Sequence, residues 1–219
     1  MSDDEVDWTP IVFDPPLDDL TRKWAYPGAM TIAILGTGNI GGALAKQLNR
    51  AGVAGLLGER NPATAKLFGP HTRSVSIADA LQADIVVLAI PFAAIRDAVG
   101  RWNGRIVVDA TNAIDFTDFT PTDLGGRPST EVVAELVPGA RVVKAFNTFP
   151  AALLAMDPAS DGGRRMLTVA GDHADANAEV MKLAEQLGFA AIDLGKLAEG
   201  GRLMQFAGPL TVKNFVVHG

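Results

Sequence analysis

The chain has 219 residues, is 48% hydrophobic and carries a formal net charge of −6; it can fill one full α/β domain, but it lacks the basic surface that a nucleic-acid binder needs to neutralise phosphates. With no cysteine it has no disulfide framework, thiolate nucleophile or Cys-ligated metal, and the scattered His71, His173 and His218 form no ligand pattern, so no metal site is expected. The most apolar run, 85–95, is too short for a bilayer and contains Pro91, and the acidic start MSDDEVDWTP is unlike an export signal, so the expectation is a cytoplasmic protein with no membrane partner.

Residues 1–29 read as an N-terminal arm, with Pro10, Pro15, Pro16 and Pro27 opposing regular ladders. Trp8, Ile11, Val12, Phe13, Trp24 and Tyr26 are costly to leave in water, so the arm is expected either as a leader or packed on the body or on a partner subunit, compatible with a homodimer. Residues 30–150 read as a dinucleotide-binding Rossmann domain. Residues 151–219 are expected as a small C-terminal part, a helical and α/β extension that completes the fold and the pocket of a second substrate.

From Thr31 short apolar runs alternate with helical stretches, the pattern of a doubly wound, mainly parallel α/β sheet covered on both faces. Strands are expected at 31–35, 53–57, 74–76, 85–90, 106–109, 142–146, 166–170 and 190–194. Asn61-Pro62 starts one helix, Ser129 with Glu131 opens another that stops before Pro138-Gly139, and a third is capped by Asp172 or Asp175 and closed by Gly188. The stretch 113–127 reads as a long connection, either a functional loop or a solvated crossover. The tail GGRLMQFAGPLTVKNFVVHG reads as a terminal helix weakened at Gly208-Pro209.

The chemistry-bearing motif is TIAILGTGNIGG. Gly36, Gly38 and Gly41 stand in G-x-G-x-x-G spacing directly after an apolar strand and before a helical run. The first glycine permits a tight turn, the second a close approach of pyrophosphate, and the third close packing of helix on strand. After the second strand the chain reads GLLGERNPATA. Arg60 there suits the 2′-phosphate of NADP, whereas Glu59 turned toward the ribose suits NAD. Arg60 can also stack on the adenine, and a carboxylate repelled by phosphate can rotate away, so NADP is the favoured reading.

In order and interval, GTGNIGG, RNP, DIVVLAIPFAAIRDAV, VVDATN and VVKAFNT resemble the coenzyme F420-dependent NADP oxidoreductases. The resemblance runs from about Thr31 to Phe215, and LAIP with VKAFNT carries more of it than the glycines do. It implies a compact dinucleotide-binding fold that moves hydride between NADP(H) and the deazaflavin F420. By position it implies nucleotide contacts at Thr37, Gly38, Asn39, Ile40, Glu59, Arg60, Ile90 and Pro91 and around Ala145, with Thr64 where the family often carries a basic residue. The arm, Glu59 in place of a small polar residue, and the loosely matching tail depart from the family pattern.

Hydride transfer between two held rings is a positioning task, and no side chain need carry a proton in it. No catalytic acid or base is therefore expected. The strand ends Ile90-Pro91-Phe92, Thr111-Asn112 and Ala145-Phe146-Asn147-Thr148 offer a small, uncharged wall, with Asn147 and Thr148 as the ring-facing candidates. Lys144, one position inside the strand, reads as structural. Alternatives are an NADP-dependent reductase of a small carbonyl or imine, and a non-enzymatic NADP(H)-sensing module.

Overall fold

The computed structural model describes residues 30–62, 68–97, 102–160 and 162–218. The N-terminal arm, Thr64 and most of the helix expected after Asn61-Pro62 lie outside the described residues.

Runs of Ile, Val and Leu without polar alternation form strands buried on both faces. β1 (Ile32–Leu35) is buried throughout and leads through the glycine turn into α1 (Asn39–Ala51), which Gly52 closes in a left-handed conformation. β2 (Gly55–Glu59) and β3 (Thr72–Ser76) follow, then α2 (Ile77–Ala80), whose Asp79 amide donates to the Ser76 side chain. β4 (Ile85–Leu88) and β5 (Ile106–Asp109) are again wholly buried, separated by a 3₁₀ turn at Phe92–Asp97. A two-stranded hairpin, β6 (Ile114–Asp115) and β7 (Thr120–Pro121), occupies part of the expected long loop and precedes α3 (Ser129–Leu136).

β8 (Arg141–Ala145) is followed by α4 (Ala151–Leu154), β9 (Ala159–Ser160), β10 (Gly163–Gly171), α5 (Ala174–Gln186) and β11 (Ala190–Asp193). The main sheet runs β3-β2-β1-β4-β5-β8-β10-β11. It is parallel from β3 through β8; β10 enters antiparallel to β8, and β11 lies parallel to β10. The winding direction reverses between β1 and β4, which opens a crevice at the carboxyl ends of the strands, where such sheets bind ligands. This is the Rossmann-like α/β fold that the alternating pattern predicts. Among the described residues no helix is long and apolar enough to cross a membrane.

Two apolar layers hold the sheet. On one face Ile34, Val87, Val108, Val143 and Val169 pack under Leu44 and Leu48 of α1 and Val180 and Leu183 of α5. On the other, Leu35, Val86, Val107 and Val142 meet Ala80, Trp102 and Val133.

Three local expectations are corrected. β2 begins two residues later than expected, because Val53 donates its amide to the Leu48 carbonyl at the end of α1. Neither Asp172 nor Asp175 caps α5 through its side chain; Asp172 instead accepts from the Leu197 amide at 3.1 Å. The tail is not one helix. A π turn (Leu197–Gly201) passes into the short α6 (Arg202–Met204), then turns, then β12 (Val216–Val217), which pairs antiparallel with β10. The helix stops where Gln205 turns to extended backbone (φ −57°, ψ 150°), and the turn that follows needs a glycine at 208, since a Cβ there would stand 2.7–2.9 Å from the carbonyls of Gln205, Arg202 and Leu203. The two terminal valines then favour a strand.

Asp109 and Lys144 lie opposite each other in the β5–β8 register, and so share a face. Both side chains are fully buried and paired at 2.9 Å. The Lys144 ammonium also donates to the Thr111 carbonyl at 2.7 Å, while Asp109 accepts from the Thr111 amide (2.9 Å) and hydroxyl (2.6 Å) and from the Thr130 hydroxyl (2.8 Å). Removing one member of such a pair strands a buried charge. Lys144→Met is therefore expected to lower unfolding stability by about 3–5 kcal/mol in a denaturant titration. Lys182→Ala, which breaks the exposed 2.7 Å pair with Glu179, is expected to cost under about 1 kcal/mol. Equal losses for the two would contradict the assignment.

Candidate functional site

The glycine turn joins the end of β1 to α1 at the reversal point of the sheet. Gly36 has φ +87°, and a Cβ on it would lie 2.8 Å from the Ala89 carbonyl and 2.8 Å from the Ile90 side chain. The end of β4 is thus pressed against the turn. A Cβ on Gly41 would fall 1.8 Å from the Gly36 carbonyl, so only glycine lets helix and strand approach this closely. Gly38 differs, since nothing lies within 4 Å of its missing Cβ. The first turn of α1 has no capping side chain and no acid. Its free amides face an open, side-chain-free cradle, a preformed anion site. Gly38 and Asn39 are exposed there, with Thr37 and Ile40 half-buried.

At the end of β2, Glu59 is half-buried and Arg60 exposed. The Thr37 hydroxyl donates to Glu59 Oε1, tying the carboxylate to the glycine turn.

The ends of β4, β5 and β8 form a wall beside this turn. Ile90 and Phe92 are half-buried and Pro91 exposed. Thr111 is buried and bound to Asp109, which places Asn112 against the end of β8. The Asn112 amide donates to the Asn147 carbonyl at 3.0 Å, and Asn147 returns a hydrogen bond to Asn112 Oδ1 at 3.0 Å. Ala145 and Phe146 are buried, and Phe146 sits at φ +63°, an unusual conformation for an aromatic residue that persists only where its surroundings enforce it. The resulting bend carries Asn147 inward, to 2% exposure.

The tail closes over this point. Asn147 Nδ2 donates to the Met204 carbonyl at 2.7 Å, and the Thr148 carbonyl accepts from the Val212 amide at 2.8 Å. Asn147 Oδ1 is buried with no partner among the described residues. The Ser129 amide donates to Gln205 Oε1 at 3.1 Å, which ties the same tail to α3.

Beside the closed point a cleft of about 430 Å³ opens between residues 121–127 and 202–208, with Leu124, Arg127, Arg202, Gln205 and Phe206 among its walls. Arg127 pairs with Glu135 at 2.5 Å; Arg202 has no ion-pair partner among the described residues. The hairpin preceding the cleft presents Phe116 and Phe119, 63% and 68% exposed, edge to face at 6.4 Å. Its acids are set by turn geometry. The amide and then the hydroxyl of Thr117 hold Asp115 below the usual carboxylate pKa, and the hydroxyl and then the amide of Thr120 do the same for Asp118.

The expected site residues thus converge on one edge of the sheet, except Thr64, which lies outside the described residues. Asn147 and Thr148 stand at that edge but under the tail, not on an open surface. Sequence reasoning missed Arg127, Arg202, Gln205 and Phe206, since only long-range folding of hairpin and tail brings them together. It also left Asp109 unpaired with Lys144, although an acid and a lysine in adjacent apolar strands were the visible signal.

A family profile described as NADP oxidoreductase, coenzyme F420-dependent, matches residues 31–113. The structure of a hypothetical protein from Sinorhizobium meliloti is 49% identical, covers 88% of this chain and 98% of its own, and superposes with a TM-score of 0.84. A protein of Arthrobacter sp. fb24 assigned to the F420-dependent NADP-reductases is 32% identical, with 78% and 86% covered and a TM-score of 0.63. Human metalloreductase STEAP2 is 30% identical over 174 residues, 77% of this chain and 34% of the relative, so the chain spans about a third of the length of the curated relatives it matches.

Asn147→Ala would leave the Met204 carbonyl and Asn112 Oδ1 without their donor. A loss of about 1–3 kcal/mol in thermal or denaturant unfolding is expected, the cost of orphaning buried polar groups. An unchanged stability would show that the tail does not depend on this bond.

Proposed function

The chain belongs to the coenzyme F420-dependent NADP oxidoreductases; from that premise we propose that it is an NADP-dependent oxidoreductase that moves hydride between NADP(H) and a second ring cofactor of the F420 type. The dinucleotide would be held by its pyrophosphate on the amides following Gly38, with Glu59 and Arg60 at the adenine ribose and the nicotinamide against Ile90-Pro91, Thr111-Asn112 and Ala145. The bound nucleotide supplies the hydride. The protein supplies the placement.

One observation carries this reading: the strand ends beside the glycine turn are lined by apolar groups and by the reciprocal Asn112–Asn147 amide pair. The charges nearest to them, Asp109 and Lys144, are buried and spent on each other. Such a wall can orient rings but has no group free to give or take a proton. The second ring would lie in the cleft between hairpin and tail, where Phe206 and Leu124 offer apolar surface and Arg202 a cation with no ion-pair partner among the described residues, for an acidic arm of the acceptor.

The test is spectroscopic: purified protein with NADPH is offered F420, flavins, ferric chelates and small imines. Loss of the deazaflavin absorbance is the expected result; imine turnover alone would favour a carbonyl or imine reductase, and nucleotide binding without oxidation would favour a sensing module. Arg202→Ala is expected to raise the KM for an acidic ring acceptor about tenfold and leave NADPH affinity unchanged, the value of one charge-assisted hydrogen bond at a partly exposed site. An unchanged KM would remove the acceptor from this cleft.

A further inference from the structure

We propose that the hairpin and the tail form one self-complementary surface on which a second copy of this chain docks about a two-fold axis, hairpin on tail and tail on hairpin. This interface does not depend on which acceptor the cleft takes.

The two segments are sorted by charge. Residues 114–126 carry three acids, Asp115, Asp118 and Asp123, and no base, whereas residues 202–218 carry Arg202 and Lys213 and no acid. All five are exposed. Each acid accepts from its own turn: Asp115 from the Thr117 amide at 2.8 Å, Asp118 from the Thr120 amide at 3.0 Å, and Asp123 from the Gly125 amide at 2.9 Å. No ion pair joins hairpin to tail among the described residues, although Asp123 and Arg202 both line the cleft. Opposite charges left unpaired on two segments of one surface are what a two-fold interface requires, since each segment then meets its opposite in the other copy.

Apolar groups stand among these charges. Besides Phe116 and Phe119 on the hairpin, the tail exposes Leu203, Val212 and Phe215, at 44%, 64% and 45%. The three rings alone leave on the order of 300 Å² of aromatic surface in water, the size of patch that marks an interaction site. Phe119 and Val212 are also held in the left-handed region, both at φ +57°. Hairpin turns fill such positions with glycine, asparagine or aspartate, and a β-branched residue there is an outlier. Backbone bonds fix both: the Phe119 amide donates to the Asp115 carbonyl at 2.9 Å, and the Val212 amide to the Thr148 carbonyl at 2.8 Å. Within one chain this conformation is strained and leaves the side chain in solvent, so the contact that offsets it lies outside the chain. The acids oppose an anionic lipid surface or a nucleic acid, and the bases oppose a cationic partner. A surface that bears both, in separate segments, is matched by its own copy. Docked this way, the partner's hairpin lies across the tail that walls the cleft.

The experiment is sedimentation velocity of the purified full chain. At about 10 μM the wild type is expected to run as a dimer, as for an interface of standard size. Phe119→Asn suits the left-handed turn, so it removes the ring without straining the fold; it is expected to weaken the dimer at least about tenfold, the value of one aromatic anchor, with an unchanged circular dichroism spectrum. Two charge-reversed variants then test the pairing, one carrying Asp115→Lys with Asp118→Lys and the other Arg202→Glu with Lys213→Glu. Each alone sets like charges face to face and is expected to be monomeric. Mixed in equal amounts they are expected to form a dimer again, because each hairpin meets a tail of opposite sign. A wild type that stays monomeric to about 100 μM, a dimer that persists through all three variants, or reversed variants that stay apart on mixing would overturn the proposal. So would a wild-type monomer that binds phosphatidylcholine vesicles and loses that binding in Phe119→Asn, which would give the surface to lipid. The mixing result stands whether or not any acceptor is turned over, so it is separable from the hydride-transfer reading.

Discussion

The buried pair between Lys144 and Asp109 ties the ends of two neighbouring strands to the loops that leave them. An isolated charge in this layer would carry a desolvation penalty far above the worth of any single contact. The fold meets it with hydrogen bonds: Asp109 accepts from the Thr111 amide and hydroxyl, the Thr130 hydroxyl and the Lys144 ammonium, and the ammonium also donates to the Thr111 carbonyl. Thr111 is thereby held at its amide, hydroxyl and carbonyl, and the next residue, Asn112, meets Asn147. The amide pair, the inward turn at Phe146 and the docking of the tail on Asn147 sit directly beside it.

This arrangement divides labour along the sheet edge. At the β1–β4 reversal the glycine turn leaves an open, positively polarised cradle, because Gly38 has no neighbour and α1 no cap. At β5 and β8 the edge is closed and rigid, with charge locked inside it and amides at its rim. Hydride transfer needs that combination of one nucleotide held by its phosphates and a wall that fixes ring distance without offering a competing proton. The cleft between hairpin and tail, lined by Leu124, Arg127, Arg202 and Phe206, is the place the proposed function gives to the second ring.

Much of this was legible in the sequence, for reasons that differ by residue. Ile32–Leu35, Ile85–Leu88 and Ile106–Asp109 read as strands because an unbroken apolar run between turn residues has few other fates. Gly36 and Gly41 read as a turn because their spacing is dictated by local backbone sterics. The tail misled because Leu203, Met204 and Phe206 mimic a helical apolar face, while the backbone leaves the helix at Gln205 and passes through a turn that only a glycine at 208 fits. The hairpin at 114–121 was unreadable for a related reason: its strands are two residues long, and its Asp–Thr turns look like ordinary loop polarity. The Thr37–Glu59 bond was not legible, because its partners lie 22 residues apart and meet only when β1 and β2 align.

The central claim is that the protein contributes placement and not protons. The measurement that bears on it most directly is a single-turnover reaction of deuterated NADPH with the ring acceptor, followed across pH. The account predicts a primary isotope effect on a rate that stays flat from about pH 6 to pH 8, since the wall's apolar and amide groups have no proton to exchange with the rings and Asp109 and Lys144 are buried in their mutual pair. A bell-shaped profile on the isotope-sensitive step would contradict it, because it would require a protein proton donor that this wall does not contain.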